Sequence, residues 1–182
     1  RNFTQGSLQQ SSNSLDVAIN GNGFFEVNLP DGTIGYTRDG SFQLDAQGRL
    51  VTSGGLPVAN GITVPQGATS ISISESGVVS ATIAGNPQPQ QLGQLAMSSF
   101  INAAGLQPVG QNMYKESAAS GAPQQGQPGT NGLGVMRQGF LETSNVNVVE
   151  ELVTMIQTQR AYEMNSKAIQ TSDQMLAKLA QL

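Results

Sequence analysis

Four carboxylates in the first third of the chain have chemistry that an enzyme could use. Glu26, Asp31, Asp39 and Asp45 lie near one another in the sequence, and two carboxylates on either side of a glycosidic bond can hydrolyse a sugar. Asp31 and Asp39 directly precede glycine, and Asp45 is close to one. Aspartate at such places commonly accepts hydrogen bonds from the backbone of a turn. We therefore interpret these three as turn residues and expect no catalytic pair.

The other patterns associated with chemistry are incomplete. The sequence "GNG" at 21–23 lacks the third glycine and the following helix of a dinucleotide-binding loop. The sequence "DAQG" at 45–48 has too few oxygen ligands for a calcium loop. Histidine and cysteine are both absent, which excludes Ser-His-Asp triads, thiolate nucleophiles and the usual zinc sites within this chain. The sequence thus predicts no catalytic, cofactor-binding or metal site, and a protein that is not an enzyme.

Composition narrows the possible partners. The net charge is −4 at pH 7, whereas proteins that bind nucleic acid or anionic membranes need an excess of Lys and Arg. No apolar run is long enough to span a bilayer. The 22 glycines, together with abundant Ser, Asn and Gln, favour β structure with many turns. We expect neither nucleic acid nor a small-molecule substrate as a partner.

The elements that carry these residues are predicted to be short strands separated by turns. Phe25, Val27 and Leu29 alternate with polar residues in the period of a strand. The turn at 30–32 contains glycine, and Ile34 begins the return strand. Further strands are predicted at 42–44, 50–51, 62–64, 70–74, 78–83, 92–100 and 113–117. The result is a β-rich domain of antiparallel hairpins.

Polar segments flank this domain. Residues 1–14 have no hydrophobic period and are interpreted as an extended arm or linker. Residues 121–134 contain two prolines, five glycines and almost no apolar side chains, so they cannot form a core of their own. The predicted division is an arm at 1–14, a β-rich domain at 15–117, a linker with a returning extended segment at 118–143, and a C-terminal helix at 144–182.

A single long α-helix is predicted at the end of the chain. No Pro or Gly interrupts residues 145–182. Asn147 has the side chain of an N-cap, and Glu150 follows it three residues later, as in a capping box. About 35 residues at roughly 1.5 Å each form a rod of about 50 Å. Such a helix is much longer than the average of about 11–12 residues.

Apolar residues form a stripe along this helix, and five of them recur every seven residues. The apolar stripe consists of Val148, Leu152, Met155, Ile156, Tyr162, Ile169, Met175 and Leu176. A seven-residue repeat is typical of a helix packed along other helices, as in a coiled coil. Polar residues at 159, 166 and 173 favour packing among several helices over a two-stranded zipper. The alternative is an ordinary core helix, but no second helical segment in this sequence could cover it.

The far side of the helix carries Arg160. It lies two residues before Tyr162 and therefore about 200° around the helix axis from it. Two interpretations stay open, because its guanidinium could be solvated or could make a polar contact with a carboxylate of a neighbouring subunit. Tyr162 itself is expected to be buried, with its hydroxyl group reaching a partner.

Three long motifs resemble one family. "LETSNVNVVEELVTMIQTQRAYEMNSKAIQTSDQML" is similar to the C-terminal signature of bacterial flagellar rod and hook proteins. "DVAINGNGFFEV" and "YTRDGSFQLDAQGRLVTSGG" resemble the signature of their β domain. The likeness runs in the same order from about Leu15 to Leu182, and the C-terminal motif is closest to the distal-rod member. The N-terminal helix of that family has no counterpart in this sequence, so we expect the N-terminal part to be missing.

The resemblance implies a structural subunit of the distal rod. Family members are exported through the flagellar type III apparatus and polymerise into a helical tube that transmits torque from motor to hook. The C-terminal helix would belong to the inner layer of this tube and the β domain to its outer layer. The implied partners are copies of the same chain, other rod proteins and the hook protein at the tube ends, and the surrounding periplasmic and outer-membrane rings. The implied location is the periplasm-spanning rod of the basal body.

Two alternative functions remain open for this sequence. The first is another member of the same family, namely the hook protein or a proximal-rod protein. The second belongs to a different class, a secreted carbohydrate-binding β module with a coiled-coil tail. The first alternative would differ in its place along the flagellum, whereas the second would show specific glycan binding through the face of the hairpins.

Overall fold

The computed structural model of the chain describes residues 3–179, which divide into two compact units. The β unit ends at Ser144 and contains the strands, while the helical unit begins at Asn145. Short antiparallel strands in several small sheets are followed by one long α-helix. This architecture confirms the predicted fold class.

Fifteen short strands make up the β unit within the described residues, and their pairings are antiparallel. The strands are β1 Leu8–Gln10, β2 Val17–Asn20, β3 Phe24–Asn28, β4 Ile34–Thr37, β5 Phe42–Leu44, β6 Leu50–Thr52, β7 Ala68–Ile73, β8 Val78–Ile83, β9 Asn86–Gln94, β10 Met97–Ser99, β11 Gln107–Gly110, β12 Met113–Lys115, β13 Gln124–Gly126, β14 Val135–Gln138 and β15 Phe140–Glu142. A short 3-10 helix covers Ala103–Gly105.

The largest sheet has six strands in the order β11-β12-β4-β3-β10-β13. Its central hairpin, β3–β4, turns at Gly32, which has φ 78° and donates its N–H to the carbonyl of Leu29 at 3.0 Å. Glycine takes this conformation without the steric cost of a side chain. Residues 24–27 of β3 are all buried. The alternation in this strand therefore places Glu26, opposite Tyr36, in the interior and not in solvent.

A three-stranded sheet has the order β7-β8-β9. Ile73 of β7 is buried while Ser70 and Ser72 are exposed, as expected for a strand with one covered face. The side chain of Gln138 links this sheet to β14, because its Oε1 accepts from the N–H of Ile73 at 3.0 Å and its Nε2 donates to the carbonyl of Ile71 at 2.9 Å. One side-chain amide thus pairs with a backbone N–H and with a backbone carbonyl of β7, which is an edge strand.

The last three strands return to the beginning of the chain. Strand β13 pairs with β10, β14 with β2, and β15 with β1. Residues 118–143, treated above as a linker with an extended segment, contribute all three of these late strands. Strand β1 lies within the segment 1–14 that was treated as an arm. Long-range pairing accordingly holds the two ends of the β unit side by side, with Leu8 opposite Glu142.

The core of the β unit is built from several of these sheets at once. Its largest cluster centres on Phe25 and Phe42, whose rings are 5.1 Å apart and nearly perpendicular. Members of the cluster come from β2, β3, β5, β6, β7, β8, β10 and β14. A second cluster gathers aromatic rings around Phe24, Tyr36 and Leu106. Strands from four of the five sheets therefore share one core.

Two predicted strands differ from the observed ones. The strand predicted at 92–100 is divided, since β9 ends at Gln94 and β10 begins at Met97 in another sheet. The chain changes sheets at Leu95, which is buried and donates its N–H to the carbonyl of Gly77 at 2.9 Å. The strand predicted at 62–64 forms only a single bridge, between Thr63 and Arg49.

The helical unit contains α1, which runs from Val148 to Leu179. Its 32 residues span about 48 Å. It is the one α-helix within residues 3–179. Residues 180–182 of the predicted helix, like residues 1–2 of the predicted arm, lie outside the described residues. None of the helical structure in the described part of the chain is both long and apolar enough to cross a membrane.

A candidate assembly surface on the C-terminal helix

The N-terminus of α1 is capped by Asn147. Its Oδ1 accepts a hydrogen bond from the N–H of Val149 at 3.1 Å, and its carbonyl accepts from the N–H of Glu151 at 3.1 Å. A side-chain oxygen therefore satisfies one of the N–H groups that a helix start leaves without an intrahelical partner. Glu150 and Glu151 place negative charge in the first turn, where the helix dipole favours it. These local interactions determine where the helix begins.

All eight residues of the apolar stripe lie on α1 and are exposed. Their relative exposures range from 46% for Ile156 to 77% for Tyr162. Covering a large apolar side chain is worth about 1.5–3 kcal/mol, so burial of the whole stripe would contribute on the order of 10 kcal/mol per copy. Within the described residues this gain is not realised, and the stripe is available to another surface.

Two threonines lie beside the stripe. Their hydroxyl groups are already hydrogen-bonded to the helix backbone, so they present less polar surface than free hydroxyl groups would. The hydroxyl of Thr154 donates to the carbonyl of Glu150 at 3.0 Å, and that of Thr158 donates to the carbonyl of Thr154 at 2.9 Å. Thr158 lies three residues after Met155 and four before Tyr162, which places it next to both. These two hydrogen bonds were not predicted from the sequence. They could have been expected, because the hydroxyl of a threonine within a helix can donate to the carbonyl of the residue four positions earlier.

Arg160 and Tyr162 are both exposed. Arg160 makes no ion pair within the described residues, and its contact with a carboxylate of a neighbouring subunit stays a prediction. Tyr162 was expected to be buried, and in the single chain it is not. Its burial, like that of the rest of the stripe, requires a surface from outside the described chain.

The hairpin aspartates have the turn roles that their positions predict. Each accepts hydrogen bonds from the backbone N–H two residues later, at 3.0 Å for Asp31, 3.0 Å for Asp39 and 2.9 Å for Asp45. The Oδ1 of Asp39 also accepts from the hydroxyl of Ser41 at 2.6 Å. The three carboxylates therefore stabilise three successive turns of the β unit.

Electrostatics also make two of these aspartates poor proton donors. Hydrogen bonds from the side chains of Lys115 and Thr33 hold the pKa of Asp31 well below its usual range. For Asp45, desolvation raises the pKa, but hydrogen bonds from Arg49 and Gln47 outweigh it and lower the pKa overall. A group that stays ionised at neutral pH cannot act as a general acid. The described residues also contain no group of three or more acidic, His or Cys side chains that could hold a metal ion.

A partly buried ion pair ties together segments of the β unit that are distant in sequence. The Nε of Arg38 donates to Glu142 at 2.8 Å, and its Nη1 donates to the carbonyls of Gly21 and Gly23 at 3.1 and 2.9 Å. The second oxygen of Glu142 accepts from the N–H of Gly6 at 2.8 Å. Sequence reasoning did not find this pair, because 104 positions separate its members. It fixes the final strand of the unit directly before the helical unit.

Two family models match the chain, one within the β unit and one that begins near its end and covers the helical unit. Residues 18–81 match the D1 domain of the flagellar hook proteins FlgE, FlgF and FlgG. Residues 137–182 match the C-terminal region of the flagellar basal-body rod proteins FlgE, FlgF and FlgG. The second match runs from β14 through the whole helix and includes the apolar stripe.

Similarity to complete proteins supports the same family. The flagellar basal-body rod protein FlgG of Buchnera aphidicola subsp. Acyrthosiphon pisum is 58% identical over 182 residues, which is all of this chain and 70% of that protein. The FlgG of Borreliella burgdorferi is 53% identical over 178 residues, covering 97% of this chain and 67% of that protein. The chain belongs to the flagellar rod and hook protein family. It is a structural subunit of the flagellar rod in the basal body, and the family is not one of enzymes.

Within the family, the similarity is greater to rod proteins than to the hook protein. The flagellar hook protein FlgE of Escherichia coli K12 is 32% identical over 186 residues, covering 97% of this chain and only 45% of the hook protein. The rod proteins above are matched at higher identity and over a larger share of their length. This comparison favours a rod subunit over the hook alternative.

Proposed function

We propose that this chain is a subunit of the distal rod, which polymerises with copies of itself into a helical tube that carries torque from the flagellar motor to the hook. It is exported through the flagellar type III apparatus and crosses the periplasm in the assembled rod. Other rod proteins and the hook protein contact the ends of the tube, and the periplasmic and outer-membrane rings surround it. The similarity to rod proteins supports this proposal.

The exposed apolar stripe is the observation that carries the proposal. A lone helix cannot cover one of its own sides, and a seven-residue repeat along most of a helix of about 48 Å suits packing along other helices. In a polymer of identical copies, each helix covers the stripe of its neighbours. Contacts between two different patches of the same chain generate a helical filament when the rotation from copy to copy does not close a ring.

This arrangement explains how the subunit would carry torque. Stripe burial is distributed over every copy, so no single contact bears the whole mechanical load. The β unit has its own core and adds a second layer of contacts between subunits. The capped start of α1 at Asn147 defines where the packed helix begins in each copy.

The test introduces a charge into the apolar stripe of the full-length protein. Met155→Asp and Ile169→Asp are expressed in a strain that lacks its own copy of the gene, and swimming and the rods of purified basal bodies are examined. We expect both to be lost, because burying an unpaired carboxylate costs several kcal/mol in every copy. Gln157→Asp introduces the same charge about 200° around the helix axis from Met155 and should assemble. Normal rods from the stripe variants would refute the proposal.

Position along the flagellum distinguishes the distal rod from the other members of the family. Labelling an epitope-tagged full-length subunit in purified hook–basal bodies should mark the rod segment directly adjoining the hook. Label on the hook, or on the rod segment nearest the inner membrane, would instead support the hook or proximal-rod alternative.

A further inference from the structure

The six methionines of the chain divide equally between two environments. Those of the β unit are at most 4% exposed, namely Met97, Met113 and Met136. Those of α1 are 50–66% exposed, namely Met155, Met164 and Met175. An oxidant must reach the sulfur atom to react with it, and close packing excludes the oxidant from the core of the β unit. The oxidisable methionines of the described chain therefore lie on the helix.

The three helical methionines differ in their positions around the helix axis. Met155 belongs to the seven-residue series of the apolar stripe and lies seven positions before Tyr162. Met175 directly precedes Leu176 at the C-terminal end of the stripe. Met164 lies outside the stripe, because it follows Tyr162 by two positions and is therefore about 200° around the axis from it. A modification of Met155 changes the stripe, whereas the same modification of Met164 does not.

Hydrogen peroxide oxidises an accessible methionine by transferring one oxygen atom to its sulfur. A lone pair of the sulfur attacks a peroxide oxygen, the O–O bond breaks, and the sulfur retains that oxygen as a sulfoxide while water is released. The sulfur loses two electrons, and the peroxide gains them. The flexible apolar side chain becomes a polar one that bears a hydrogen-bond acceptor. Burying such an oxygen between helices is unfavourable unless a donor meets it.

We propose that Met155 is a redox-sensitive modification site at which hydrogen peroxide controls assembly of the free subunit, an inference that rests on the proposed function. Its sulfoxide places a polar oxygen within the apolar stripe, so neighbouring copies cover the stripe less favourably. Assembly protects the same sulfur, because the helices that cover the stripe also exclude the oxidant. The modification is reversible, since methionine sulfoxide reductases restore the thioether while a dithiol is oxidised to a disulfide and the oxygen leaves as water.

Peptide mapping of the unassembled full-length protein tests access to the sulfur. The protein is treated with hydrogen peroxide, digested, and analysed by mass spectrometry at successive times. We expect Met155 and Met164 to gain an oxygen at least about tenfold faster than Met97. In purified rods, Met155 should react at least about tenfold more slowly than in the free subunit. Oxidation of Met155 no faster than that of Met97 in the free subunit, or equally fast in rods and subunits, would overturn the proposal.

Two matched double variants of the full-length protein separate this site from general oxidation. One carries Met164→Leu and Met175→Leu and keeps Met155, whereas the other carries Met155→Leu and Met175→Leu and keeps Met164. Each is compared with its own untreated sample, so any effect of leucine itself cancels. Peroxide should raise the critical concentration for assembly of the first variant at least about fivefold and that of the second less than about twofold. Methionine sulfoxide reductases with dithiothreitol should restore assembly of the first variant.

Equal losses in the two variants, no loss in either, or no recovery with the reductases would contradict the inference. So would a fall in the urea midpoint of the oxidised first variant, because the loss of assembly would then come from unfolding of the β unit. If Met155→Asp blocks assembly while the sulfoxide does not, this inference fails and the proposed function stands. If Met155→Asp assembles normally, the proposed function fails and this inference fails with it.

Discussion

In the β unit, Phe25 and Phe42 are fully buried with their rings 5.1 Å apart, whereas in the helical unit Met155 and Ile169 are half or more exposed. Both units thus contain large apolar side chains at regular spacing, but only the β unit covers its own. Its strands pair over long distances in the sequence, as β14 does with β2. The helix is held by bonds between residues four apart and by a cap at Asn147.

This difference separates two sources of stability. Long-range contacts give the β unit a core that does not depend on other copies. The helical unit has good local geometry but no covered apolar face within the described chain, and isolated helices gain little from local bonds alone. Under the proposed function, the first source sets the stability of each subunit and the second sets the stability of the polymer.

The largest effect should come from removing a core ring. Phe25→Ala should lower the free energy of unfolding of the unassembled full-length protein by about 3–5 kcal/mol, because it removes a fully buried ring and leaves a cavity. Met155→Ala, which truncates an exposed side chain, should change it by less than about 0.5 kcal/mol. Urea unfolding followed by circular dichroism measures both. Equal losses in the two variants would show that the stripe is already covered in the single chain.

A smaller effect is expected at alkaline pH, and only from the β unit. Burial, with added repulsion from the charges of Glu26 and Glu116, raises the pKa of Tyr36 to about 12 from a usual value of 10.0. Because the folded protein holds this proton more tightly than the unfolded chain, the stabilisation is complete below about pH 10 and is lost as the pH rises towards 12. The loss should be about 2 kcal/mol.

Tyr36→Phe provides the matched comparison for this pH dependence. The variant has no ionisable hydroxyl at the buried position, so its urea midpoint should fall less steeply between pH 9 and 12 than that of the wild-type protein. Tyr162→Phe, at an exposed position on the helix, serves as the control and should leave the wild-type profile unchanged. Identical profiles for all three proteins would exclude Tyr36 as the source.

The smallest effect should be confined to the start of the helix. Asn147→Ala removes the side-chain oxygen that accepts the N–H of Val149, which should destabilise the helix by about 1 kcal/mol. Far-ultraviolet circular dichroism of the unassembled protein should show less helix, while the urea midpoint of the β unit is unchanged. Asn147→Asp retains a capping oxygen and should keep the helical signal. A shift of the urea midpoint in Asn147→Ala would mean that the two units unfold together.

Local signals in the sequence were enough to predict the features with local causes. The cap at Asn147, the uninterrupted helix and the glycine turn of the β3–β4 hairpin all depend on residues within a few positions of one another. The turn roles of Asp31, Asp39 and Asp45 are of the same kind. Side-chain type and spacing carry this information directly.

Features that depend on distant contacts could not be predicted in this way. Pairing of β15 with β1 joins residues that are 130 or more positions apart, and the ion pair of Arg38 with Glu142 arises from the same closure. Glu26 alternates with apolar residues in a pattern that ordinarily indicates an exposed face, yet neighbouring strands cover it. A hydrophobic pattern shows which residues share a face, and only the tertiary fold determines whether that face is covered.

Strands β1 and β15 bring together two segments that lie near the ends of the β unit in the sequence. With Leu8 directly opposite Glu142, everything between these two residues is a closed loop of chain on a two-stranded stem. Such a stem makes the unit modular in the evolutionary sense. A change within residues 9–141 that keeps this pairing leaves the distance between the two flanking segments unchanged, so under the proposed function the β units of a filament could diversify while the packing of its helices stayed constant.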